Sequence, residues 1–288
     1  MTDTMTTTQA TSLQSLEVLY EAQELSPDLP HQLQTLYGGP LGITPGVYAN
    51  FVATLDGVVA LPEVPGSNKI ISDSSQADRF VMGLLRATAD VVLIGSGTLH
   101  SSRHGRWTAE HAYPPAARAY AELRRNRDLP RTPLLAVLTG SGNINPGHPA
   151  LEEGALVLTT ARGAEALRSR LPSASSILSL GEGPRPNPAR ALDALRQRGH
   201  RHILSEAGPH VFGTLLAAGI IDELFLTSSP LLAGHSPHGS TFSLVEGTQL
   251  LPHTRVEGQL LSVRRHTAHL FLRYAFPSGS RADGPGRE

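Results

Sequence analysis

Two short segments combine residue types that could do chemistry at a strand end. Ser205-Glu206-Ala207-Gly208-Pro209-His210-Val211-Phe212-Gly213-Thr214 follows the apolar run His202-Ile203-Leu204 and opens an apolar-striped helix. A strand that passes through glycine into a helix start leaves backbone N–H groups without partners, and such groups favour an anion such as phosphate. An ordinary strand-to-helix connection would use the same residues. Gly95-Ser96-Gly97-Thr98, directly after Asp90-Val91-Val92-Leu93-Ile94, is a second turn of the same kind. Two glycine turns at two strand ends point to one shared ligand, and this is where a cofactor is expected.

Composition removes several other chemistries. The 288-residue chain has a net charge of −1 and no run of basic residues, so the footprint of a nucleic-acid or anionic-membrane binder is missing. It has no cysteine, which excludes disulfides, thiolate nucleophiles and the His/Cys/Cys zinc centre of nucleobase deaminases. Lys69 is the one lysine and the one candidate for a Schiff base. His100 with His104, and His235 with His238, have metal-like spacing. No carboxylate is near either pair, so they are read as solvated loop residues and no metal is expected. The apolar runs are short of membrane-spanning length and the first residues are polar and Thr-rich, so a cytoplasmic location is expected.

The elements that must position these turns follow from periodicity. Residues 1–12 read as a disordered leader, 13–45 as an accessory arm, 46–276 as the main domain and 277–288 as a disordered tail. Leu13, Leu16, Leu19 and Tyr20 fall at helical spacing, and Ser26 to Gly46 reads as irregular. Strands are predicted over 46–55, 58–61, 91–94, 134–138, 155–159, 177–180, 202–205 and 223–228. Helices are predicted over 74–88, with Asp73 as its cap, and over 116–125, 164–170, 188–198 and 209–218. Short Val, Ile and Leu runs separated by helices indicate a mainly parallel sheet buried on both faces. Two alternating strands, 259–265 and 269–276, should close it as an antiparallel hairpin whose edge a second copy could cover.

A simple dinucleotide-binding Rossmann unit is not written here: its third glycine would fall at His100, and the next strand ends in Thr139-Gly140-Ser141 rather than an acid. The chain instead resembles the reductase half of the bacterial riboflavin-biosynthesis deaminase-reductase. The resemblance is carried by Asn50-Phe51-Val52-Ala53-Thr54-Leu55-Asp56-Gly57, by Leu84-Leu85-Arg86-Ala87 with the run to Thr98, and by Ile203 to Pro209. Leu215 to Leu224, continued by Pro230-Leu231-Leu232-Ala233-Gly234, completes it. It covers roughly residues 46 to 276 and implies a dihydrofolate reductase-like α/β fold: a mainly parallel central sheet flanked by helices, with the antiparallel hairpin at its end.

What the resemblance implies for function is NADPH-dependent reduction of a phosphorylated ribosylaminopyrimidine by a homodimer. Carried over by position, Ala53 would touch the nicotinamide end, Gly95, Gly97 and Thr98 the cofactor, and Gly208, Pro209, His210, Val211, Phe212, Gly213 and Thr214 would cradle the pyrophosphate. Thr139 and Ser141 would face the adenosine 2′-phosphate. Asn50, Arg86 and Glu206 match positions near the substrate; Glu206 and Asp56 are the candidate catalytic groups, Asp56 by ordering water or supplying a proton. Arg86 could equally be a helix C-terminal cation, and Asp56 a turn residue. Three positions depart from the family pattern: Val58 stands where a basic residue is common, Ala207 where a second glycine is, and Leu99 to Trp107 where an acidic segment is. A reductase of a pterin, dihydrofolate-like or other heterocycle, and a nucleotide-binding paralogue without catalysis, stay open.

Overall fold

Parallel strands buried on both faces need apolar side chains at every position rather than at alternate ones. In a computed structural model, which describes residues 13–235 and 240–276 and the backbone of 282–283, those runs assemble into one sheet. In chain order the elements are β1 (Glu17–Glu21), α1 (His31–Tyr37), β2 (Gly46–Ala53), β3 (Val58–Ala60), α2 (Ser67–Ile71) and α3 (Gln76–Thr88). There follow β4 (Val91–Gly95), α4 (Ser96–Ser101), α5 (Ala109–Ala112), α6 (Ala117–Asn126), β5 (Leu134–Thr139), α7 (Pro149–Glu152), β6 (Ala155–Thr159), α8 (Ala161–Leu167) and β7 (Ser176–Ser179). The last are α9 (Pro188–Gln197), β8 (His202–Ser205), α10 (Pro209–Ala217), β9 (Glu223–Ser228), β10 (Phe242–Ser243), β11 (Thr254–Arg255), β12 (Gln259–His266), β13 (His269–Ala275) and β14 (Ala282–Asp283).

Ten strands form the central sheet in the order β1-β12-β13-β9-β2-β8-β4-β5-β6-β7. From β9 to β7 every neighbouring pair is parallel, and from β1 to β9 every pair is antiparallel. The two faces divide along each strand: Val92 and Ile94 join a core with Phe80, Leu84 and Tyr120, while Val91 and Leu93 join one with Leu192, Phe212 and Leu215. β4 and β8 lie side by side and in parallel, so both glycine turns emerge from the same end of the sheet. Asp90 fixes this alignment, its Oδ2 accepting from the N–H groups of Arg201 and His202 at 2.5 and 2.8 Å. At the far end of the long helix, the Arg124 guanidinium donates to the carbonyls of Arg86, Ala87 and Ala89, closing the C-terminus of α3.

The segment expected to be an accessory arm differs most from its sequence reading. Leu13 to Tyr20 does not form a helix: Glu17–Glu21 is a strand, paired antiparallel to β12, and it is the sheet's edge. Its helical spacing is misleading because the strand is held by partners far along the chain. Arg264 Nη2 donates to Glu21 at 2.8 Å and Arg265 Nε to Glu17 at 2.8 Å. The stretch read as irregular contains α1, whose Leu33 and Tyr37 are buried, and Tyr37 lies under the Arg264 guanidinium 4.0 Å from its ring centre. Residues 13–45 therefore contribute to the sheet and the main core, and β1 occupies the hairpin edge that was expected to await a second copy. The cap of α3 is Ser75, whose hydroxyl accepts from the Asp78 N–H, rather than Asp73. The leader 1–12 and, within the tail, residues 277–281 and 284–288 lie outside the described residues. The backbone of 282–283 pairs with β11. Among the described residues no helix is long and apolar enough to cross a membrane.

Candidate active site

A cleft enclosing about 210 Å³ opens at the end of the sheet where β4 and β8 finish. Its walls include Asn50, Phe51 and Val52 from β2, Asp78, Met82 and Arg86 from α3, and Thr98 from α4. Glu206, Ala207, Gly208 and Pro209 complete them where the chain leaves β8. The two glycine corners adjoin: a side chain begun at Gly95 would stand 4.0 Å from Val211 Cγ2, and the Glu206 N–H donates to the Leu93 carbonyl at 2.9 Å. Around Gly97 and Gly208 no atom lies within 4 Å of where a Cβ would be. Gly208 has an ordinary φ of −64°. The space before the first turn of α10 is thus kept open by the lack of a side chain, not by a strained backbone.

Arg86 and Glu206, 120 residues apart in the chain, meet as a bidentate pair: Nε donates to Oε1 at 2.9 Å and Nη2 to Oε2 at 2.7 Å. Their side chains are 7% and 9% exposed. Nη1 is directed at the carbonyls of Arg106 and Thr108, at 3.3 and 3.4 Å. The guanidinium thus lines the cleft while most of its donors are taken up by the protein itself. Its geometry holds the Glu206 carboxylate in place at the cleft and ties the 106–108 segment to α3.

Asp78, which periodicity did not single out as functional, lines the same cleft and is 5% exposed. Burial pushes its carboxyl up to about 6, against a hydrogen bond from Thr227 and the influence of His269, with Glu206 adding to the rise. The signal was present in the sequence, because Asp78 sits on the apolar stripe of α3 three and seven residues before Val81 and Leu85. The segment Leu99 to Trp107, where the family pattern breaks, forms part of the wall: Leu99 and Trp107 are buried, and Ser101, Ser102 and Trp107 line the cleft.

Other expected site residues are placed differently. Asp56 lies outside this cleft. Its carboxylate accepts from the Thr54 hydroxyl at 2.5 Å and from the N–H groups of Ala233 and Gly234 at 3.1 and 2.6 Å. Those bonds, Thr54 first, hold its carboxyl well below the usual range, so it is a poor proton donor; it pins the turn at Gly57 to the 231–234 loop. Ala53 is buried with its carbonyl bonded to the Ser229 N–H, and its neighbours Phe51 and Val52 face the cleft instead. Phe212 is fully buried against Phe51, ring centres 5.0 Å apart. Gly213 packs on Val245 and Glu246, and the Thr214 hydroxyl donates to the carbonyl of His210. These three belong to the body of α10 rather than to its anion-facing start. Thr139 is buried at the end of β5 and Ser141 is exposed just beyond it, one strand over from Gly95. Among the described residues no three His, Asp or Glu side chains are gathered as a metal site would require.

A 2,5-diamino-6-ribosylamino-4(3H)-pyrimidinone 5′-phosphate reductase of Archaeoglobus fulgidus is 24% identical over 220 residues, 74% of this chain and 91% of that protein. Among solved structures, a pyrimidine reductase-like protein of Corynebacterium diphtheriae matches with a TM-score of 0.64 at 21% identity, over 85% of this chain and 98% of its own. The deaminase/5-amino-6-(5-phosphoribosylamino)uracil reductase of Thermotoga maritima matches at a TM-score of 0.60 and 19% identity, over 81% of this chain and 57% of that longer one. At such identities the structures establish the fold, and it is the dihydrofolate reductase-like arrangement expected. The profile of the RibD C-terminal domain matches residues 45–267, so the chain belongs to that family.

Proposed function

We propose that the chain is an NADPH-dependent reductase of a phosphorylated ribosylaminopyrimidine, transferring hydride to the ribosylamino carbon in riboflavin synthesis. The observation that carries this reading is the single cleft shared by both glycine corners and the Arg86–Glu206 pair. The residues fit the cofactor: Gly208, Pro209, His210 and Val211 form a helix start with open space in front of it, with Gly95, Gly97 and Thr98 opposite. Ser141 and the turn after Thr139 suit a 2′-phosphate, with a hydroxyl and N–H groups at the same end of the sheet. When bound, NADPH supplies the hydride.

The chain's own residues do the rest. Phe51 and Val52 give the reacting end an apolar floor, and the buried Trp107 adds an apolar wall beside Arg86 and Glu206. Glu206, held by Arg86 as a carboxylate at the cleft wall, would orient the sugar amine, whose imine form takes hydride at carbon and a proton from water at nitrogen. The reductase body is built on 46–276 and completed by 13–45, and it acts as a cytoplasmic homodimer. Nicotinamide fluorescence titration with NADPH and NADH, followed by reduced-nicotinamide absorbance with the ribosylaminopyrimidine phosphate and with dihydrofolate, tests the reading. Tight NADPH binding and turnover of the pyrimidine are expected. Binding without turnover of either substrate would contradict it, as would indifference to both nucleotides.

A further inference from the structure

Asp78 has no task within its own element. At the third position of α3, three residues after the Ser75 cap, an acid ordinarily bonds back to the cap's N–H. Here the Ser75 N–H donates to the Ser72 carbonyl at 3.0 Å instead. Among the described residues no Arg, Lys or His nitrogen lies within ion-pair distance of Asp78, whereas Glu206 beside it has Arg86. His269 is near enough to influence it, but its Nε2 is engaged with the Ser72 carbonyl at 3.0 Å. Among the described residues Thr227 is the one side chain whose hydrogen bonding acts on its carboxyl. A carboxyl buried at a cleft wall with one hydroxyl partner has acceptor capacity left over, and holding it there is costly unless a ligand completes it.

The two oxygens of a carboxylate match a ligand edge that offers two parallel N–H donors. A 2-aminopyrimidin-4-one has that edge in its 2-amino group and the adjacent ring N–H. A uracil ring carries a carbonyl in place of the amino group, and that oxygen would oppose the carboxylate. Resting on the reductase reading above, we propose that Asp78 recognises the 2-amino-4-oxo edge of the substrate ring, so that this enzyme takes 2-aminopyrimidinones in preference to uracils. Two sources present that edge, a phosphoribosylated diaminopyrimidinone and a pterin, and the same chemistry serves both.

The test is isothermal titration of the full chain, saturated with NADP⁺, with three ligands. They are 2,5-diamino-6-ribosylamino-4(3H)-pyrimidinone 5′-phosphate, the corresponding 5-amino-6-ribosylaminouracil 5′-phosphate, and 7,8-dihydropterin. Wild-type protein is expected to bind the diaminopyrimidinone roughly 10- to 100-fold more tightly than the uracil. Asp78→Asn should abolish that preference while the NADPH titration is unchanged, which also reports that the variant is folded. Dihydropterin binding as tightly as the diaminopyrimidinone assigns the site to pterins; much weaker binding assigns it to the phosphoribosyl compound. Equal wild-type affinity for diaminopyrimidinone and uracil, or a preference that survives in Asp78→Asn, overturns the inference and leaves the reductase reading standing. Failure to bind NADPH and all three ligands removes both.

Discussion

At the scale of single residues, the site is built on one satisfied carboxylate and one that is not. Removing one partner of a buried ion pair leaves an uncompensated charge, so Arg86→Met should destabilise the protein by about 3–5 kcal/mol in urea unfolding, and adding Glu206→Gln should recover most of the loss. A double variant as unstable as the sum of the two singles would show that the pair is not coupled. Asp78 gives a pH signature. Its folded-state value of about 6 lies above the ordinary 3.8, so the native state holds the proton more tightly. The linked stability is present below pH 3.8 and is lost as pH rises through about 6. Ligand-free Asp78→Asn is therefore expected to be more stable than wild type at pH 7 by about 2–3 kcal/mol, and to lose that advantage below pH 4. Unfolding at both pH values measures it; an advantage that does not shrink in acid would contradict the account.

At the scale of elements, the parallel strands were legible because Val91 to Ile94 or Leu134 to Leu138 can satisfy an all-apolar run only between two helical layers. The helix over 74–88 was legible from its stripe, though its start was not, since Asp73 and Ser74 adopt positive φ of 50° and 52° before Ser75 takes the cap. What local pattern could not show depends on distant partners. β1 is a strand because β12 lies beside it and because Arg264 and Arg265 pair with Glu21 and Glu17, contacts spanning more than 240 residues. The short α1 buries only Leu33 and Tyr37, too few positions for a period to be read. The site showed the same division. Glycine corners and Glu206 could be read from their places after strands, whereas the pairing of Arg86 with Glu206 and the bonding of Asp56 to the 233–234 loop exist only in the folded chain. Since Leu16 is 2% exposed within the main core, Leu16→Ala should cost about 2–4 kcal/mol, as a core residue does and a residue of a detachable arm does not. Denaturant titration of that variant decides it.

At the scale of the whole molecule, the parallel pairing of β4 with β8 brings two sequence-distant corners to one end of one sheet, and the cleft between them is what the functional reading rests on. The opposite, antiparallel flank ends in β1, where Val18, Leu19 and Tyr20 are 42%, 49% and 46% exposed. The proposed homodimer is expected to cover that edge. Light scattering should then give twice the 30.6 kDa chain mass, and Leu19→Lys should return it to one. The central claim is that both corners bind a single pyrophosphate, and nicotinamide fluorescence titration of NADPH into wild type, Gly97→Val and Gly208→Val tests it most directly. Since a Cβ at either position would meet no atom within 4 Å, both variants should stay folded, and each should bind NADPH at least about 10-fold more weakly. Wild-type affinity in either variant would contradict the shared site.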